Sequence, residues 1–192
     1  MNYIGGFSQM KIVALIGSLR TGSTTMKAAK VAIDAAVAAG AEVEIFDLRE
    51  RPLPMYDPDD ENKYEDENVK YFVELMNNAD GFILGSPEYH NGISGVFKNA
   101  LDFVGYNQFA GKPVGLVASA GGAVATNTLN QMLTILRSLH AYVVPQFGSV
   151  GYTDSFTEEG KFTNEKSQQR FEQIGLSVVN LVKAMKQSAE VK

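Results

Sequence analysis

The sequence predicts an α/β protein in which a five-stranded parallel sheet is covered by helices on both faces. Short runs rich in Val, Ile and Leu alternate with longer segments of helical periodicity, and this alternation is typical of strand–helix–strand units. The first run, residues 11–17, is almost continuously apolar, as expected for a parallel strand buried on both faces. The 192 residues are 45% hydrophobic, which is sufficient for one core, so residues 1–192 are expected to form a single domain.

Each strand is predicted from a short apolar run, and each helix from apolar residues three or four positions apart. The predicted strands are residues 11–17, 42–47, 79–86, 112–119 and 141–147. The predicted helices are residues 23–39, 67–77, 95–105, 123–140 and 165–187. Gly40 ends the first helix, because glycine is favoured just after a helix. Pro145 indicates that the last strand lies at an edge of the sheet, or that it ends there, because proline has no N–H to donate.

Composition excludes several classes of function. The chain has 17 basic and 22 acidic residues and no run of Lys or Arg, so no nucleic-acid partner is expected. It has no cysteine, which excludes disulfides, zinc–thiolate sites, Fe–S clusters and thiol nucleophiles. No apolar run is long enough to span a membrane, and residues 1–10 lack the positive charge of a secretory signal. A cytoplasmic location is therefore expected, with residues 1–9 as a disordered N-terminus.

An acidic stretch, residues 57–67, holds seven carboxylates and one lysine. A calcium-binding loop would need glycine where Asn62 stands. We therefore expect no metal site, and we interpret the stretch as a solvated loop whose last carboxylates favour the N-terminus of the following helix.

The loop after the first strand, residues 17–25, is predicted to bind a phosphate group. Its glycines, hydroxyl side chains and Arg20 lead into a helix N-terminus, where unpaired N–H groups favour an anion. Ser23 stands where a nucleoside triphosphate loop requires lysine, so a monophosphate suits the loop better. The alternative is that Ser23 or Thr24 merely caps the helix, but capping does not account for Arg20.

Two further loops follow neighbouring strands, and the carboxyl ends of parallel strands share one edge of the sheet. Residues 86–95 offer the aromatic ring of Tyr89, free backbone amides and Gly92, which suit a flat heterocycle. The alternative is a turn closed by Pro87, with Ser94 capping the next helix. Residues 118–123 contain paired glycines, a weaker signal. These loops lack the residues for acid–base hydrolysis or a dinucleotide fingerprint, whereas redox chemistry by a bound cofactor needs no catalytic side chain.

These motifs resemble those of the NADPH-dependent FMN reductase family of quinone and azo reductases. GSLRTGSTT is similar to its phosphate signature, SPEYHNGISGVFKNALDF to its flavin-ring segment and ASAGG to its third loop. The resemblance covers about residues 10 to 150. His90 is similar to the azobenzene-reductase branch, whereas Thr25 stands where the family often has asparagine.

The resemblance implies a flavodoxin-like sheet of strand order 2-1-3-4-5 and non-covalently bound FMN. It implies hydride transfer from NADPH or NADH through FMN to quinones, azo compounds or similar small acceptors by a ping-pong mechanism. The residues implied to hold the phosphate are Ser18, Arg20, Ser23, Thr24 and Thr25. Those implied to border the isoalloxazine are Pro87, Glu88, Tyr89, His90, Asn91 and Gly92, with Ser119, Gly121 and Gly122 at its other edge.

The resemblance also implies a homodimer or homotetramer. Tyr106, Phe109, Tyr142 and Phe147 are then expected to cover the flavin of a neighbouring subunit. Two alternative functions stay open: a flavodoxin-type electron carrier reduced by a partner protein, and a nucleotide-binding sensor without redox activity. Arg20 argues against the carrier, because the phosphate loops of carriers resemble Thr-x-Thr-Gly-x-Thr and contain no cation.

Overall fold

The computed structural model describes residues 9–190. The predicted disordered segment, residues 1–9, therefore lies outside the described residues apart from Gln9. The strands are β1 (Lys11–Ile16), β2 (Glu42–Asp47), β3 (Gly81–Tyr89), β4 (Gly92–Ile93), β5 (Pro113–Ser119) and β6 (Tyr142–Val150). The helices are α1 (Thr24–Ala38), α2 (Glu67–Asn78), α3 (Gly95–Asp102), α4 (Tyr106–Phe109), α5 (Thr126–Ser138) and α6 (Glu165–Glu190).

The five long strands form a parallel sheet of order β2-β1-β3-β5-β6. In chain order of these strands this is 2-1-3-4-5, which confirms the predicted architecture. Two apolar layers cover the sheet. One includes Phe72 of α2, Phe97 of α3 and Leu129 of α5, and the other includes Ala32 of α1 and Val178 of α6. Strand order therefore brings the carboxyl ends of β1, β3 and β5 side by side.

The structure differs from the predicted elements in three places. Residues 86–95 do not form an open loop, because β3 continues to Tyr89 and pairs with the short antiparallel strand β4. The predicted helix 95–105 ends at Asp102, and the short helix α4 follows it. The last strand continues to Val150 at the edge of the sheet. Its pairing with β5 changes register between Val114 and Leu116, opposite Pro145, which confirms the predicted edge position.

Within residues 9–190, no helix is long and apolar enough to cross a membrane. In the same part of the chain, no group of three or more His, Asp or Glu side chains is arranged to hold a metal ion.

Candidate active site

The loop after β1 has the geometry of an anion-binding helix N-terminus. The Oγ of Ser23 accepts a hydrogen bond from the Met26 N–H at 3.2 Å, so Ser23 does cap α1. The N–H groups of Thr24 and Thr25, in the first turn, have no carbonyl partner within the helix. Arg20 is exposed, and among residues 9–190 its guanidinium forms no ion pair. Capping and anion binding are thus compatible, and these groups fit a phosphate monoester.

A buried hydrogen bond joins the first loop to the third. The Oγ1 of Thr25 lies 2.6 Å from the Oγ of Ser119 at the end of β5, and both side chains are almost wholly buried. One hydroxyl donates to the other, which leaves one hydroxyl proton of the pair for a further acceptor. Two residues predicted to touch different parts of the cofactor are therefore in contact with each other.

The predicted ring segment is a tight β-hairpin. Tyr89 pairs with Gly92 across a two-residue turn, and the turn residues His90 and Asn91 have φ of +50° and +63°. Positive φ at both positions is the signature of a type I′ turn. Pro87 is buried and Glu88 half-buried, whereas Tyr89 is 53% exposed. The hairpin therefore presents one aromatic face and the turn to solvent.

Two buried serines attach this hairpin to the first loop. The Oγ of Ser94 donates to the Gly17 carbonyl at 2.5 Å, and the Ser94 N–H donates to the Oγ of Ser86 at 3.0 Å. Ser94 also caps α3 by accepting from the Phe97 N–H at 3.3 Å. A Cβ on Gly17 would lie 2.3 Å from the Cβ of Phe97. Gly17 is thus required by packing of the first loop against α3, a role the sequence did not indicate.

Helix α5 holds the hairpin from the other side. Its N-cap residue, Ala125, has no side chain that can cap. The carboxylate of Glu88 takes this role and accepts from the Thr128 N–H at 3.1 Å. A negative charge at a helix N-terminus is favourable. Glu88 therefore fixes β3 to α5.

Replacing Glu88 by alanine is expected to lower the free energy of unfolding by about 1 kcal/mol, the usual cost of losing a helix cap. Glu88→Gln keeps an oxygen acceptor and should recover most of this loss. Urea denaturation of both variants checks the expectation, with Glu50→Ala, an exposed carboxylate in a loop, as the control. Equal midpoints for Glu88→Ala and Glu50→Ala would contradict the capping role.

The third loop exposes its backbone at a pair of glycines. Gly121 and Gly122 are exposed, and a Cβ on either would meet no atom within 4 Å. The loop is nevertheless held in place, because the Ala120 N–H donates to the Val150 carbonyl at 2.9 Å and the Tyr152 N–H to the Gly122 carbonyl at 3.0 Å. The protein itself gives no steric reason for glycine at either position. The open backbone leaves room for a ligand to approach it closely.

Three polar residues of α3, at the end of the segment SPEYHNGISGVFKNALDF, have structural roles. The side chain of Asn99 accepts from the Tyr56 N–H at 2.8 Å and donates to the Pro54 carbonyl at 2.8 Å, which ties α3 to the loop after β2. Lys98 and Asp102 form an ion pair at 2.6 Å on the surface of α3. The segment that resembles a flavin-ring motif thus continues into α3, where Asn99 joins the helix to a neighbouring loop and Lys98 pairs with Asp102 on the helix surface.

The prediction that Phe109 covers a neighbouring flavin is wrong. Its side chain is fully buried and packs against Phe82, with ring centroids 4.7 Å apart. Tyr106 packs edge-on against His140, and Tyr142 is the first residue of β6. Both tyrosines therefore lie at the amino-terminal edge of the sheet, opposite the three loops.

Residues 10–154 match the family described as NADPH-dependent FMN reductase. The chain belongs to this family. It is 38% identical over 139 residues to the FMN-dependent NADPH-azoreductase of Staphylococcus haemolyticus (strain JCSC1435), which covers 71% of this chain and 74% of that protein. The protein of the same name from Staphylococcus aureus (strain USA300) is 39% identical over 139 residues, which cover 71% of this chain and 74% of that protein.

Solved structures share the fold of this FMN reductase family member at lower identity. The flavoenzyme NAD(P)H:(acceptor) oxidoreductase FerB of Paracoccus denitrificans has a TM-score of 0.77 at 22% identity, covering 91% of this chain and 98% of that one. An NADH:FMN oxidoreductase in its apo form has a TM-score of 0.70 at 23% identity, covering 88% and 90%. An archaeal flavodoxin has a TM-score of 0.65 at 13% identity, covering 91% and 99%.

Family membership confirms the predicted oxidoreductase class, the FMN cofactor and the NADPH co-substrate. The structural neighbours confirm the flavodoxin-like architecture.

Proposed function

We propose that this FMN reductase family member passes hydride from NADPH or NADH through FMN to azo compounds, quinones or similar small acceptors by a ping-pong mechanism. The observation that carries the proposal is the convergence of three loops at one edge of the sheet, joined by Thr25–Ser119 and Ser94–Gly17 hydrogen bonds. The Staphylococcus relatives are named FMN-dependent NADPH-azoreductases, which supports azo compounds as acceptors.

In this proposal each loop binds one part of the cofactor. Arg20, the hydroxyls of Ser18, Ser23, Thr24 and Thr25, and the first N–H groups of α1 hold the phosphate. The hairpin borders one edge of the isoalloxazine, and the open backbone at Gly121 and Gly122 borders the other. Bound FMN supplies the hydride-carrying chemistry, so no side chain is assigned a catalytic role. The chain binds and orients the cofactor, and nicotinamide and acceptor would occupy the same space in turn at the exposed face of the flavin ring.

An anaerobic titration tests this function. FMN-loaded protein is titrated with NADPH while the visible flavin band is followed, and an azo dye or a quinone is then added. We expect stoichiometric bleaching that the acceptor reverses. Parallel double-reciprocal plots at varied NADPH and acceptor would support the ping-pong order, and intersecting plots would reject it.

The alternatives make different predictions in the same experiment. A flavodoxin-type carrier would load FMN and stay oxidised with both NADPH and NADH. A nucleotide-binding sensor without redox activity would fail to load FMN and would bind another nucleotide instead. Either outcome would overturn the proposed function.

We further propose that residues 1–192 act as a single cofactor-binding domain in the cytoplasm, where reduced nicotinamide nucleotides are available, and assemble as a homodimer or homotetramer. Exposed aromatic side chains outside the three loops support assembly, since Tyr106, Tyr142 and Phe147 are each about half exposed or more and such groups are enriched at interfaces.

A further inference from the structure

Gln131 of α5 forms hydrogen bonds to two backbone groups that flank Gly92, on the C-terminal side of the His90–Asn91 turn. Its Oε1 accepts from the Ile93 N–H in β4 at 3.1 Å. Its Nε2 donates to the Asn91 carbonyl at 3.4 Å. One side-chain amide therefore satisfies a donor and an acceptor on the two sides of Gly92.

The turn that Gln131 contacts requires a backbone conformation that non-glycine residues seldom adopt. His90 and Asn91 both adopt φ in the left-handed region. Glycine or asparagine is usual at such positions, and histidine is less common there. Strained backbone of this kind persists when surrounding contacts fix it, and it clusters at ligand sites. Among residues 9–190, Gln131 provides the side-chain hydrogen bonds made to residues 90–93.

Close packing accompanies these hydrogen bonds. A Cβ on Gly92 would lie 3.2 Å from the Oε1 and 3.3 Å from the Nε2 of Gln131. The amide thus lies directly against the hairpin backbone, where glycine permits the approach.

Gln131 also lies on the same side of α5 as Thr128, whose N–H binds Glu88. Residues three positions apart are neighbours on a helix surface. The start of α5 follows the Gly121–Gly122 loop directly, and the Ala125 N–H is fixed by the Oγ of Ser149 at 2.7 Å. One face of α5 therefore sets the position of the hairpin relative to the third loop.

We propose that Gln131 is a positioning residue of the flavin site, which holds the His90–Asn91 turn in the geometry that binds FMN and so sets FMN affinity and the FMN midpoint potential. This inference rests on the proposed function, because it concerns the same cofactor. Gln131 acts through the turn, and no direct contact with the cofactor is required.

Two substitutions separate its two hydrogen bonds. Gln131→Leu removes both hydrogen bonds and replaces the amide with an apolar side chain of similar size. Gln131→Glu keeps an oxygen acceptor for the Ile93 N–H but loses the donor to the Asn91 carbonyl. Asn130→Leu is the matched control, because Asn130 is an exposed amide on the same helix whose side chain makes no hydrogen bond to residues 86–95 within the described chain.

The readouts are the FMN dissociation constant, from quenching of FMN fluorescence by apoprotein, and the midpoint potential against a reference dye. We expect Gln131→Leu to weaken FMN binding about tenfold, Gln131→Glu to fall between it and the unsubstituted protein, and Asn130→Leu to stay within twofold. A substitution that weakens the binding of oxidised and reduced FMN by different factors shifts the midpoint potential. The shift should be about 30 mV for each tenfold difference between these two factors.

Unchanged affinity and potential in Gln131→Leu would overturn the inference. So would a loss of unfolding stability in Gln131→Leu without a change in either FMN readout, because that result would assign Gln131 a merely structural role. If the unsubstituted protein fails to bind FMN, the proposed function is overturned instead. This failure would be detected before any variant is measured.

Discussion

The Gly175→Ala variant is expected to unfold at a much lower urea concentration than the unsubstituted protein, with a loss of about 3 kcal/mol in the free energy of unfolding. Gly175 is buried in α6 where this helix crosses α1. A Cβ there would lie 1.9 Å from the carbonyl oxygen of Ala32 and 3.1 Å from the backbone N of Ala36. Backbone atoms cannot rotate away, so α6 must separate from α1, and the apolar layer between them opens.

Gly95→Ala is the matched control for this prediction. Gly95 is also helical, at the start of α3, and a Cβ there would meet nothing within 4 Å. Alanine favours a helix over glycine by up to about 1 kcal/mol, so Gly95→Ala should be as stable as the unsubstituted protein or slightly more stable. Equal urea midpoints for the two variants would show that α6 does not approach α1 this closely.

The Arg20→Ala variant is expected to bind FMN about 10- to 150-fold more weakly. This range corresponds to the loss of one charge-assisted hydrogen bond, about 1.5–3 kcal/mol. Arg20 is exposed in the loop that leads into α1, where it can reach a phosphate held by the helix N-terminus. The free energy of unfolding of the apoprotein should change little, because the side chain supports no buried contact. Fluorescence titration of apoprotein with FMN measures the effect.

Lys27→Ala provides the comparison. Lys27 is a cation near the start of α1, but its ammonium lies over the Phe156 ring, 5.9 Å from the centroid. Removing it lowers the positive charge near the loop without removing a predicted phosphate ligand, so the FMN dissociation constant should change much less. If Lys27→Ala weakens binding as much as Arg20→Ala, the effect is one of general electrostatic attraction, and Arg20 is not a specific ligand.

Local signals in the sequence were sufficient for most elements. The strand predicted at 42–47 matches β2, and the helix predicted from Ser23 begins at Thr24 with Ser23 as its cap. The order of the long strands also agrees with the order implied by the resemblance. Capping and hydrophobic periodicity act within a few residues, so a single sequence is enough to detect them.

The sequence signal for the hairpin at residues 86–95 is out of register with the turn. Type I′ turns are usually marked by Asn-Gly or Asp-Gly at their two central positions. An Asn-Gly pair occurs at Asn91–Gly92, but the central residues of the turn are His90 and Asn91, so the sequence predicts a loop here. Phe109 is a similar case, because an aromatic residue outside any predicted periodic segment carries no indication of whether it is buried.

The sequence by itself determined the alternation of strands and helices and the chemistry of the three loops: a cation with hydroxyls, an aromatic segment and paired glycines. Only the tertiary structure decided which residues hold these loops together. Ser94 reaches the Gly17 carbonyl across 77 positions, Ser119 reaches Thr25 across 94, and Gln131 reaches Ile93 across 38. Such bonds depend on which strands become neighbours, so a polar residue that makes one has no local sequence pattern to distinguish it from a solvated surface residue.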